Sequence, residues 1–159
     1  MKQHTHIISG FSIAMIVALE LGEGLPISVF LGLVGAFLNI LIDTFGHRGL
    51  RRDPYTHSLL GVTILSCSIA VIAALSLELY IGYKMDFLAT LLAILLSGYI
   101  HLFLDMLTST GIYPIWPWSR KTFSLARIRY DDPLMNKFFS TLFILLILAE
   151  ILKHTKIFK

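Results

Sequence analysis

Apolar residues in this chain gather into five long stretches, at 7–21, 26–42, 58–81, 87–107 and 138–152. A helix crossing the hydrocarbon core of a bilayer uses about 20 predominantly apolar residues. Each stretch is therefore read as one membrane-crossing helix, although the first is short for that task. Pro26 stands where a helix start tolerates proline. Small residues at Gly32, Gly35, Ala36, Gly61 and Gly98 allow helices to approach closely. No internal repeat is evident. The pattern predicts an all-α, integral membrane bundle of about five spans, with 1–159 forming a single transmembrane domain and interfacial loops between the helices.

Composition agrees with that reading. The chain has 159 residues, 56% hydrophobic and 14% charged, whereas soluble domains run at roughly 45–50% apolar and about 25% charged. One cysteine, Cys67, lies inside an apolar stretch, which excludes an intramolecular disulfide. No cleavage site of small residues follows the first stretch, and "LGEGLP" reads as a turn. The net charge of +3 comes from clusters of Arg and Lys in the connectors 43–57 and 108–133. On a membrane protein such clusters report orientation, and no nucleic-acid partner is expected. With the N-terminus inside, nine of the thirteen basic residues lie on the cytoplasmic side, so that orientation in the cell membrane is expected. The basic tail "KHTKIFK" runs against it.

Strict alternation of spans places several polar residues at one depth. His4 and His6 open the first span, Asp43 follows the second with His47 just beyond, His57 precedes the third, and His101 and Asp105 end the fourth. All fall at the same face of the membrane, whichever face that is. His101 and Asp105 are four residues apart and share a helix face. A charged Asp within a bilayer costs about 2.5–3.5 kcal/mol on insertion scales, so something must offset it. A His–Asp hydrogen bond joining two helices is one answer. A divalent cation is another, since Zn²⁺ takes imidazole nitrogen and carboxylate oxygen and leaves a position for water. On the second reading Asp43, His57, His101 and Asp105 bind metal and His6 adds a fifth ligand. Asp105 would bridge if there are two ions, and Asp43 is equally a candidate proton acceptor. Metal-bound water becomes a nucleophile near neutral pH.

Other residues admit two readings each. His57 is either a ligand or a helix-start residue beside a Thr56 or Ser58 cap, and His47 a ligand or a loop residue. Tyr113, Pro114, Trp116, Pro117 and Trp118 suit the headgroup layer, and Arg120 with Lys121 could anchor a lipid phosphate next to the metal. Asp131 and Asp132 are read as partners of Arg127 and Arg129. His154 lies at the opposite end of the bundle.

The segments "GHRG", "THSLLG" and "GYIHLFLDMLTSTGIYPIWPWSRK" resemble the motifs of the YdjM-like family of integral membrane proteins, described as metal-dependent hydrolases. That family shows an N-terminal His before a small-residue helix and an acidic Pro-Asp-x-Asp stretch. A His-Arg-Gly segment then leads into Thr-His-Ser, and a Gly-Tyr-x-x-His-x-x-x-Asp-x-x-Thr helix is followed by Gly and Trp-Pro. The likeness runs from His6 to Lys121 and is most specific in its last part. Two departures stand out: "NILID" offers Asp43 alone, and "LRRDPY" separates His-Arg-Gly from Thr-His-Ser. Either His47 is displaced from the site or Asp53 fills a missing acidic role. A fainter likeness is to the zinc phospholipase C and S1–P1 nuclease group, in the order His, Asp, His, His-x-x-x-Asp. Together these likenesses imply a zinc-type hydrolase with one or two ions, cleaving an ester or phosphoester of a membrane lipid at the cytoplasmic interface. A non-enzymatic scaffold with a structural His–Asp cluster is the alternative. A transporter is a third, which an edge location disfavours because transport sites lie near mid-bilayer.

Overall fold

Three helix starts are written in side chains that accept from free backbone N–H groups. Ser58 Oγ accepts from Gly61 N at 3.1 Å. Asp86 Oδ1 accepts from Leu88 and Ala89 N at 2.8 and 3.1 Å. Asp132 accepts from Met135 N at 2.9 Å, with Pro133 just inside the helix. Gly82, at φ 70°, ends the helix that Ser58 begins. Ser58→Ala should lower stability by about 1 kcal/mol, seen as a small drop in Tm in detergent.

The structure is a computed structural model that describes residues 1–48 and 51–155, with the side chains of His47, Arg48 and Arg51 outside that description. In chain order the elements are α1 (Gln3–Glu20), α2 (Leu25–Gly46), β1 (His47–Arg48), β2 (Arg51–Arg52), α3 (Leu59–Ile81), α4 (Phe87–Met106) and α5 (Pro133–His154). The two short strands pair antiparallel, His47 opposite Arg52. The architecture is all-helical apart from this small ribbon. Helices α2, α3, α4 and α5 are each long and apolar enough to cross a membrane.

Helix α1 is shorter, at 18 residues, and more polar. It starts at Gln3, four residues before the apolar stretch does, so His4, Thr5 and His6 are helical. The reason is its place: α1 packs against α2, α4 and α5, and Thr5, His6, Ser9 and Ser12 are buried among protein neighbours. Thr5 Oγ1 and Lys2 N both donate to Asn136 Oδ1 of α5, at 2.8 and 2.9 Å. Helix α5 likewise begins before its apolar stretch, where Asp132 and Pro133 start it. Its outward residues, among them Leu134, Phe138 and Leu145, are exposed, as are Ile64, Ile72 and Leu79 of α3. Such contiguous apolar surface suits lipid contact.

Alternating directions divide the polar contacts between two ends. At one end Lys153 meets Glu20, and Glu23 accepts from Asp86 N at 3.0 Å. At the other lie the starts of α1, α3 and α5 and the ends of α2 and α4.

Candidate metal centre

Helix α4 carries His101 and Asp105 one turn apart, both fully buried. The first two turns of α1 bring His6 against them, and the last turn of α2 brings Asp43. One ligand atom from each of His6, Asp43, His101 and Asp105 lies within 4.8 Å of the other three. The fourth element is the 53–58 turn. There His57 N donates to Asp53 O at 3.1 Å, and His57 O accepts from Tyr113 N at 2.9 Å. This fixes the backbone so that His57 Nε2 stands 3.3 Å from Asp105 Oδ2. Gly46 is required beside it, because a Cβ there would run into the His57 ring and Thr56 Oγ1.

The separations discriminate between glue and ligand set. His101 Nε2 lies 3.4 Å from Asp105 Oδ2 and 3.6 Å from Asp43 Oδ1, and His6 Nε2 lies 3.0 Å from Asp105 Oδ1. Buried His6 Nε2, His101 Nε2 and Asp105 Oδ2 nonetheless form no hydrogen bond of acceptable geometry. Good N–H···O bonds span about 2.7–3.2 Å. Donor atoms around one tetrahedral ion with bonds of about 2.0–2.2 Å sit about 3.3–3.6 Å apart. Three of the four separations fall in that second range, so the donor set fits a cation.

Second-layer contacts set the His101 tautomer. Asn39 Nδ2 donates to Gly35 O at 2.8 Å and to Ser97 Oγ at 3.0 Å, so its Oδ1 faces the imidazole. His101 Nδ1, 2.9 Å away, must then carry the proton, and Nε2 presents a lone pair to the carboxylates. The rings of His6 and His101 stack at 3.9 Å. Burial pushes the His57 imidazole below its ordinary pKa against the pull of Asp105, favouring the neutral form that ligates metal.

Among the described residues two cationic groups meet Asp105. Arg52 Nη2 lies 2.5 Å from Asp105 Oδ1, and its Nη1 donates to Gly111 O at 2.6 Å, Thr108 Oγ1 at 3.0 Å and Asp105 O at 3.2 Å. The Met1 amine reaches Asp105 Oδ1 at 2.7 Å. A cavity of about 360 Å³ opens here, walled by Met1, Lys2, Gln3, Asp43, Thr44 and Tyr130.

Not every candidate gathers here. The His47 side chain lies outside the described residues. Asp53 is buried, and its Oδ1 accepts from Tyr55 N at 2.9 Å, closing the turn that carries His57. Arg120 and Lys121 are exposed on the 108–132 connector, and among the described residues the guanidinium that touches the cluster is that of Arg52. Trp118 is exposed, while Trp116 packs edge-on against Tyr55. Asp131 pairs with Arg129 at 3.1 Å in solvent, and Asp132 caps α5. His154 pairs with Glu150 at 2.8 Å, at the far end. Sequence reasoning missed Asn39, Arg52 and the Met1 amine. For Asn39 a signal existed: it is a polar residue in an apolar span, four before Asp43 and so on its face.

A family model describing the YdjM inner membrane protein matches residues 1–157. No curated protein and no solved structure matches the chain. With nearly the whole length matched, four apolar spanning helices and a buried His–Asp group that could hold a metal ion, this chain belongs to the YdjM inner membrane protein family.

Proposed function

We propose that this protein is a metal-dependent hydrolase of the membrane, acting on an ester or phosphoester of a membrane lipid at the cytoplasmic interface. The observation that carries the reading is a buried set in which His101 Nε2 stands 3.4 Å from Asp105 Oδ2 and 3.6 Å from Asp43 Oδ1, with His57 Nε2 3.3 Å from Asp105 Oδ2. His6, Asp43, His57, His101 and Asp105 would hold the cation, with zinc the ion best suited to that mixture of nitrogen and oxygen. Bound there, a divalent ion supplies Lewis acidity and a water that ionises near neutral pH.

The chain's own residues do the rest. Asn39 keeps the proton on His101 Nδ1, so the ring faces the centre as a base and not as a donor. Asp43, on the wall of the cavity, is the carboxylate placed to accept a proton from incoming water. Asp105 holds the cluster together, reached by His6, His57, His101 and Arg52 at once. The apolar outer faces of α3 and α5 keep the site at the bilayer, and the cavity beside Asp43 opens at the same end of the bundle. The basic connectors support an N-terminus on the cytoplasmic side.

Detergent-purified protein, stripped by chelation and then resupplied with zinc, should release a headgroup or fatty acid from phospholipid micelles only in the zinc-restored state. Stoichiometric zinc without turnover on any phospholipid class would instead favour a scaffold whose cluster is structural.

A further inference from the structure

Arg52 is 6% exposed and only partly satisfied. Its Nη1 is consumed by Asp105 O, Thr108 Oγ1 and Gly111 O, which tie it to the turn after α4. Its Nη2 meets Asp105 Oδ1. Its Nε is buried with no partner. A guanidinium offers five N–H donors, and the edge formed by Nε and Nη2 is one of the two that grip a carboxylate or phosphate with parallel bonds. An unpartnered buried donor of this kind costs about 1–3 kcal/mol, more on a charged group. A group used only to neutralise Asp105 has no need of it.

Charge points the same way. Among the described residues two carboxylates, Asp43 and Asp105, meet two cations, Arg52 and the Met1 amine, and the neighbouring imidazoles ligate in their neutral form. A divalent cation among them would leave the buried centre positive. An anionic substrate offsets that excess; a neutral carboxylic ester does not. The 360 Å³ cavity lies on the Asp43 side of the centre, with Asp43 and Met1 in its wall, and the Met1 amine meets Asp105 Oδ1, the oxygen that Arg52 binds. Lys2 also lines it, adding a further positive charge.

We infer that Arg52 is a substrate-binding residue whose Nε–Nη2 edge receives an oxygen of a phosphoryl group, so that the substrates are phosphoesters and not carboxylic esters. This rests on the metal-hydrolase reading above and narrows it. It also replaces the exposed pair Arg120 and Lys121 by a buried guanidinium as the group that grips the phosphate.

The test uses the full chain in detergent, loaded with zinc and titrated calorimetrically with inorganic phosphate and, separately, with acetate. Wild type should bind phosphate at least about tenfold more tightly than acetate. Arg52→Gln and Arg52→Lys should keep zinc at the wild-type stoichiometry while phosphate binding weakens about tenfold or more, the loss expected for a charged hydrogen-bonding group. Lysine keeps the charge without the fork, so its loss reports the paired donors. Phosphate bound no better than acetate by wild type, or equally well by Arg52→Gln, overturns the inference and leaves the metal reading intact. If both variants lose zinc, the wild-type comparison alone decides. Wild type that takes up no zinc overturns the metal reading, and this inference with it.

Discussion

Asp105→Ala is expected to abolish stoichiometric metal binding and to destabilise the protein by about 3–5 kcal/mol, the range for removing one partner of a buried ion pair. The size follows from how much meets that carboxylate. Its Oδ1 is reached by Arg52 Nη2 at 2.5 Å, the Met1 amine at 2.7 Å and His6 Nε2 at 3.0 Å, and its Oδ2 by His57 and His101. Without it the buried Arg52 loses the carboxylate that it contacts. Asp105→Asn keeps the volume and part of the polarity, so it should unfold at a higher temperature than the alanine variant yet still fail to hold metal. Thermal unfolding in detergent and metal analysis check the two parts separately. An alanine variant with wild-type metal content would remove Asp105 from the ligand set.

Gly35→Leu should be the most damaging substitution far from any charge. A Cβ at that position would lie 2.7 Å from Ala14 Cβ, 2.8 Å from Gly10 O and 2.8 Å from Ser97 Oγ. Those contacts belong to α1 and α4, and one of them is backbone, which cannot rotate away. Overpacking of this kind costs about 1–3 kcal/mol and occasionally more. The consequence reaches the centre, because Gly35 O accepts from Asn39 Nδ2, which orients the amide that sets His101. Pushing α1 away also withdraws His6. Lower Tm and reduced metal content are therefore expected together. Gly82→Ala is the matching control: its φ of 70° makes alanine strained, by about 1–2 kcal/mol, but nothing lies within 4 Å. It should lower Tm and leave metal content unchanged.

The depth at which polar groups meet was readable because spans of similar length must alternate in direction, and that requirement needs no knowledge of packing. The i,i+4 pair His101 and Asp105 was readable for the same local reason. Which neighbours those side chains touch was not, because that depends on rotation of α1 and α2 about their own axes. The start of α5 was written in "DDP", yet the hydrophobic run began only at Phe138 and drew the boundary late. Arg52 was hidden among three arginines of one connector. The short ribbon pairing His47 with Arg52 and the turn closed by Asp53 set the position of Arg52, and neither was legible in the sequence. The segment "LRRDPY", which interrupts the family's pattern in sequence, thus supplies the arginine that touches Asp105 and the aspartate that shapes the His57 turn.

The central claim is that side chains from α1, α2, α4 and the turn before α3 together grip a cation. Elemental analysis of detergent-purified wild-type protein, alongside a folded His101→Ala variant, addresses it most directly. One or two equivalents of divalent metal in wild type and a clear loss in the variant are the predicted result. Wild-type protein without metal after supplementation, or a His101→Ala variant holding the wild-type amount, would contradict the account.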